Sequence, residues 1–255
     1  YRASYAGQRV ALKRIRTFTS ETTKKNTRLQ FCQEALLWQG LRHRSILPFL
    51  GIDRETFTSS YCMVSPWMKH GTVIKYLDDH GRSQLHRLLL EICLGLEYLH
   101  TMKIVHGDLR GNNILVSDDC HACLTDFGLA SSIQEQDTVG ALTSGSNRGG
   151  SARWLAPELI LPTQFNCQEF IRTPATDVYA FACVCIEMET GAPPFPKLPD
   201  VGAMVKVVAG ERPQQPSTMS DKLWTIVSLA WAADFKHRPE VHSLIRALES
   251  LSQST

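Results

Sequence analysis

The sequence lacks a charge bias. Its 27 Lys and Arg stand against 25 Asp and Glu, a net of +2, which is too small an excess to argue for nucleic acid or an anionic membrane as partner. It also lacks a long apolar run. A membrane-crossing helix needs ~18 or more consecutive apolar residues, and the nearest stretch, VYAFACVCIEM, is short and interrupted by Glu187. There is no internal repeat. Eight cysteines are scattered over 255 residues without paired zinc-site spacing, and a chain of this size needs no disulfide framework, so a reducing, cytoplasmic compartment is expected. The lone CxxC at Cys120 and Cys123 reads as two small apolar residues in a tight hairpin rather than as metal ligands.

What is present is ordinary globular material. Hydrophobic residues make up 43% and charged residues 20%, enough for one large or bilobal domain with a sizeable core. The first third mixes strands and helix. RVALKRIR alternates, with Val10 and Leu12 on one face and Ala11 and Lys13 on the other, as a half-buried strand does. Residues 20–43 predict a helix with Ser20 as N-cap, an apolar stripe at Phe31, Ala35 and Trp38, and Gly40 as a stop. ILPFLGI and SYCMVS predict strands, and PWMKHG a linker.

From about residue 72 the pattern turns helical. Leu85, Leu88, Leu89, Ile92, Leu96 and Leu99 form one stripe. NILVSDDCHACLTD predicts a hairpin, and residues 131–150, rich in Ser, Thr and Gly, a long loop. Three more helices are expected: ATDVYAFACVCIEMET, ended by GAPP; DKLWTIVSLAWAA; and PEVHSLIRALESL, opened by Pro239 near its first turn.

The chemistry-bearing stretch is HGDLRGNNIL, residues 106–115. Taken singly, Asp108, Asn113 and Asp126 are turn residues and Lys13 a solvated strand lysine. Taken together they are a lysine on a strand, a helix carrying Glu34, an Asp and an Asn five residues apart, and then DFG at 126–128. With VALK (10–13), APE (156–158), DVYAFA (177–182) and HRPE (237–240) in this order, the chain resembles the eukaryotic protein kinases over nearly its whole length. The nearest likeness is to the tyrosine-kinase-like group, including fungal Ser/Thr kinases with an HGDL loop.

The resemblance implies an α+β, bilobal fold: a small β-rich N-lobe over residues 1–67 and a larger, mainly helical C-lobe over 68–255. The family's Gly-rich loop and first strand are not in this sequence, which starts at Tyr1 without an initiator Met, so a fragment of a longer protein is expected. The implied ligands are ATP and Mg²⁺, and the implied partner is a protein substrate. Lys13 would reach the α- and β-phosphates, held by Glu34. Asn113 and Asp126 would bind the metal, and Asp108 would accept or orient the substrate hydroxyl. Ser65 falls at the gatekeeper position, with Pro66, Trp67 and Met68 as the hinge whose backbone meets adenine. His106 would be structural, packing beside Phe127, and Glu158 would pair with Arg238 to brace the C-lobe.

Two charges depart from the common pattern. Arg110 stands where Ser/Thr kinases usually carry a Lys that touches the γ-phosphate, so charge is kept and geometry altered. Gly107 replaces the Arg that pairs with a phosphorylated activation loop in relatives. Activity is therefore expected without loop phosphorylation, although Thr143, Ser144 and Ser146 are available acceptors. Ser151 and the RWLAPE ending favour Ser/Thr specificity, with Tyr or dual specificity as alternatives. Two other readings compete: a pseudokinase scaffold acting by protein binding, and a small-molecule kinase of related fold, which APE, DVYAFA and HRPE oppose. The segment 162–174 reads as a loop insertion without a functional account.

Overall fold

The computed structural model describes residues 1–14, 21–57, 60–132, 152–165, 167 and 169–252. Ser20, Thr143, Ser144, Ser146 and Ser151 lie outside them, as does the predicted loop from residue 133 to 150.

The N-terminal part is an antiparallel sheet of β1 (Arg2–Tyr5), β2 (Gln8–Arg14), β3 (Gly51–Asp53) and β4 (Cys62–Pro66), in spatial order β1-β2-β4-β3. Register follows from the alternation in β2. Val10 and Leu12 are buried with Cys62 on one face, while Lys13, opposite Met63, projects from the other. The one helix of this part, α1 (Glu21–Gly40), buries Phe31, Ala35 and Trp38 as its stripe predicts. The following stretch does not form the expected strand over ILPFLGI. Only Gly51–Asp53 pairs in the sheet, while Ile46 makes an isolated parallel bridge to Leu124. Its backbone groups are committed elsewhere: Leu47 O accepts Trp38 Nε1, Leu47 N–H donates to Leu124 O, and Pro48 has no N–H to offer a ladder.

The remainder is mainly helical: α2 (Val73–His80), α3 (Leu85–Thr101), α4 (Pro157–Ile160), α5 (Pro174–Thr190), α6 (Asp200–Val208), α7 (Asp221–Ala230) and α8 (Val241–Ser252). In α3 the residues of the predicted stripe are essentially inaccessible; each such Leu or Ile contributes roughly 1.5–3 kcal/mol by burial. α5 is buried on all sides from Thr176 to Met188 and forms the centre of this part. Thr173 and Thr176 close a capping box at its start, and Gly191 ends it in the left-handed conformation. α8 begins at Val241 rather than at Pro239. α6 was not foreseen from periodicity; it is anchored by Ala203 and Val207, and Arg153 pairs with its Asp200 at 2.8 Å.

Two short ribbons support the cleft between sheet and helices. β6 (Ile114–Val116) and β7 (Ala122–Leu124) form the predicted hairpin. β5 (Ile104–Val105) pairs with β8 (Ser131–Ser132), so the first two residues of the predicted loop form a strand instead. Among the described residues, no helix is long and apolar enough to cross a membrane.

Candidate active site

Strand β2 and helix α1 deliver the first two functional side chains to one point. Lys13 Nζ donates to Glu34 Oε1 and to Asp126 Oδ1, both at 2.6 Å. Burial lowers the lysine's pKa, but the two carboxylates outweigh it and the net shift is upward. Asp126 shows the reverse balance: burial pushes it up, Lys13 pulls harder, and it ends below the usual carboxylate value. Lys13 is therefore charged, and Asp126 ionised, at neutral pH.

Asp126 adopts a left-handed backbone, φ 67° and ψ 70°, which costs a non-glycine residue roughly 1–2 kcal/mol. The turn that follows sends Phe127 inward, where it is 1% exposed. Its ring lies 5.9 Å from Trp38 of α1 and 5.6 Å from His106. One aromatic chain thus joins the helix that carries Glu34, the segment that carries Asp126 and the loop that carries Asp108.

The catalytic-loop candidate, residues 106–113, is held by hydrogen bonds rather than by regular structure. His106 is fully buried; its Nδ1 accepts Asp108 N–H at 3.2 Å, so Nε2 carries the proton and donates to Thr125 O at 3.1 Å. The structural role expected of this histidine is what its contacts show. Asn113 Nδ2 donates to Asp108 O and to Asp108 Oδ2, both at 2.8 Å. With Nδ2 committed, Oδ1 is the atom of Asn113 that could meet a metal. Arg110 Nε lies 3.8 Å from Asp108 Oδ2, so the displaced positive charge does sit beside the candidate base.

Two carboxylates of α5 support this loop: Asp177, which heads the DVYAFA motif, and Glu187, which carries no motif signal of its own. Asp177, 1% exposed at the start of α5, accepts His106 N–H and Gly107 N–H at 2.9 Å each and His100 Nε2 at 2.9 Å. Glu187, three turns along the same helix, accepts Gly111 N–H at 2.8 Å and Trp154 Nε1–H at 3.0 Å. Gly111 is required by this approach: a Cβ there would fall 2.6 Å from Ile74 and 2.8 Å from the Glu187 carboxylate. Glu187 lies within the long apolar run of α5, and Asp177 just before it. A polar residue inside such a run is the signal that could have found Glu187, because it persists there only with partners.

Glu158 and Arg238 form the expected pair. Two parallel bonds of 2.7 and 2.8 Å join them, with the side chains 5% and 0% exposed. At the predicted hinge, Pro66 ends β4 opposite Val10, and Trp67 N–H returns to Arg9 O at 3.0 Å. Ser65 is buried, 5% exposed. Pro66, Trp67 and Met68 line a cavity of about 420 Å³ together with Gln8, Arg9, Lys69, Ser117 and Asp118. Lys13, Glu34, Asp108, Arg110 and Asp126 are not among its lining residues.

The donor set suits a hard divalent cation. Asp126 and Asn113 offer one carboxylate and one amide oxygen, and Mg²⁺ takes one or two such protein ligands, with water and phosphate oxygens completing its shell. Cys123 of the CxxC does not compete: it is buried, and burial pushes its thiol up to about 12, far from thiolate chemistry.

Comparison with known proteins agrees with this geometry. The profile of the family described as protein tyrosine and serine/threonine kinase matches residues 2–248. The chain belongs to the protein kinase family. Among relatives of this kinase domain, the serine/threonine/tyrosine-protein kinase HT1 of Arabidopsis thaliana is 29% identical over 260 residues, covering 99% of this chain and 63% of its own length. Mitogen-activated protein kinase kinase kinase 5 of the same plant is 29% identical over 258 residues, 99% of this chain and 35% of the relative. The tyrosine-protein kinase Shark of Drosophila melanogaster is 30% identical over 245 residues, 93% of this chain and 24% of the relative. The domain thus spans less than two thirds of the length of these relatives. Their mixture of kinase types accords with the tyrosine-kinase-like group expected from the motifs.

Proposed function

We propose that this kinase domain transfers the γ-phosphoryl group of ATP to a protein hydroxyl, more often serine or threonine than tyrosine. The observation that carries the reading is the position of Lys13 Nζ, 2.6 Å from both Glu34 and Asp126, above a loop in which Asn113 orients Asp108. Phosphoryl transfer requires little from the protein beyond such positioning and compensation of charge.

In this reading Lys13 holds the α- and β-phosphates and Glu34 holds Lys13. Asp108 orients the substrate hydroxyl and takes up its proton, and Arg110 supplies positive charge near the transferred group. Asn113 and Asp126 would hold Mg²⁺, which when bound would neutralise charge on the phosphates. Adenine lies against the hinge, meeting the Pro66 carbonyl and the Met68 backbone, with the small Ser65 behind it. The lobes divide between residues 67 and 68, and the domain works in the cytoplasm, a reading supported by eight scattered cysteines without paired spacing.

The test is phosphorylation of a mixed protein substrate by purified protein with Mg²⁺ and γ-labelled ATP, beside Asp108→Asn, followed by identification of the labelled amino acids. Label on Ser and Thr that disappears in the variant supports the reading. Label on Tyr alone overturns the acceptor preference. Folded wild-type protein that labels no more than Asp108→Asn leaves the scaffold reading in its place.

A further inference from the structure

The segment 162–174, which no motif explains, ends against the catalytic loop. Arg172 Nε–H donates to the Gly107 carbonyl oxygen at 2.9 Å. The guanidinium carbon of Arg172 lies 4.9 Å from the centre of the Phe170 ring, a cation–π contact. Gly107 has φ +75°, and a Cβ there would fall 2.6 Å from Arg172 Cδ and 2.9 Å from Leu129 O. The position is glycine for two reasons: the backbone is left-handed, and Arg172 fills the space that a side chain would need.

We infer that Arg172 is a positioning residue for Asp108, acting through the Gly107 carbonyl, and that Gly107 and Arg172 are a matched pair. The peptide unit between Gly107 and Asp108 is rigid and planar. Its oxygen is held by Arg172, and its N–H is held by His106 Nδ1 at 3.2 Å. The preceding N–H, that of Gly107, is held by Asp177 at 2.9 Å. Gly107 is thereby gripped at both of its backbone polar groups by residues five apart on either side of the start of α5. The peptide leading into Asp108 is pinned at both ends, and with it the direction in which the Asp108 side chain leaves the backbone. This chain carries glycine in the loop and brings an arginine in from the segment before α5. Arg172 has no contact with reacting atoms in this scheme; it acts through Gly107.

The inference rests on the phosphotransfer reading of Asp108, and its test separates the two. Steady-state kinetics with ATP and a protein substrate compare wild type, Asp108→Asn, Arg172→Met and Arg172→Lys, with thermal unfolding of each. Arg172→Met keeps the apolar stem and loses the donor. It is expected to lower kcat roughly 10- to 100-fold, as loss of a charge-assisted hydrogen bond and a small misplacement of the base would. KM for ATP and the melting temperature stay near wild type. Arg172→Lys recovers part of kcat, because an ammonium can supply one hydrogen bond without the fork. Wild-type kcat in Arg172→Met overturns the inference. So does a fall in kcat that only follows a lower melting temperature and shows no lysine rescue. Wild type no more active than Asp108→Asn removes the phosphotransfer reading and this role with it.

Discussion

The Asp177 carboxylate accepts the backbone N–H of Gly107 at 2.9 Å, joining the start of α5 to a loop seventy residues earlier in the chain. It also accepts the N–H of His106 and the ring Nε2 of His100. Burial pushes its pKa up, but the hydrogen bond from His100, that side chain's charge and the backbone donors outweigh burial, and the net value lies below the usual 3.8. A carboxyl group with a depressed folded pKa contributes stability above its unfolded pKa, and that contribution is lost as pH falls through the folded value. Asp177→Asn is therefore expected to cost about 1–3 kcal/mol at neutral pH, and the difference from wild type should shrink below pH 3.8. Urea unfolding at pH 7 and pH 3 checks this; a difference independent of pH would contradict it.

Lys13 is central to the charge arrangement but is half exposed, so its removal should affect catalysis more than folding. Lys13→Met is expected to reduce kcat/KM by roughly a hundredfold or more, the scale of losing one preorganised charge at a phosphoryl site, with little change in melting temperature. Glu34→Gln, which leaves the lysine in place but without its ionic anchor, should fall between the two. Equal activity of Lys13→Met and wild type would remove Lys13 from the site.

Glu158 and Arg238 are structural, and their loss should show the opposite profile. Removing one partner of a fully buried pair leaves the other charge unpaired, at a cost of about 3–5 kcal/mol. Arg238 also donates to the carbonyls of Ala175 and Ala232 at 3.0 and 2.9 Å, so Arg238→Met strands those acceptors too. Glu158→Gln should be milder, since its amide oxygen still accepts. Denaturant midpoints measure both, and a stability for Arg238→Met within error of wild type would show the pair to be dispensable.

Gly107 offers no charge to a phosphorylated loop, and its carbonyl is already held by Arg172. Exhaustive phosphatase treatment is expected to leave the phosphorylation rate unchanged, as is replacement of Thr143, Ser144 and Ser146 together by Ala. A collapse of activity after phosphatase, reversed by rephosphorylation, would show that another cation takes the phosphate.

Much of the site was legible because its signals are local. The five-residue step from Asp108 to Asn113, the DFG turn and the alternation around Lys13 are patterns within one or two turns of chain, and the structure brings those residues together. The α1 and α3 stripes were legible for the same reason: a 3.6-residue period marks a buried face whatever that face meets. Other features were not legible, because they depend on contacts remote in sequence. ILPFLGI has strand composition, yet its backbone groups are taken by Trp38 and Leu124. Glu187 looked like an interruption of an apolar helix, Asp177 like one letter of a motif, and Arg172 like a loop residue.

What the sequence determined by itself was the set of chemical groups and the elements carrying them: a lysine on an alternating strand, a glutamate on an amphipathic helix, and two aspartates and an asparagine in turns. What only the tertiary structure decided was how those groups are aimed. Side-chain period and turn chemistry are properties of a few consecutive residues. The direction of Asp108 depends on backbone N–H and C=O groups whose partners, Asp177 and Arg172, lie some sixty-five to seventy residues away, and every residue carries such groups alike, so no local pattern records which ones will meet.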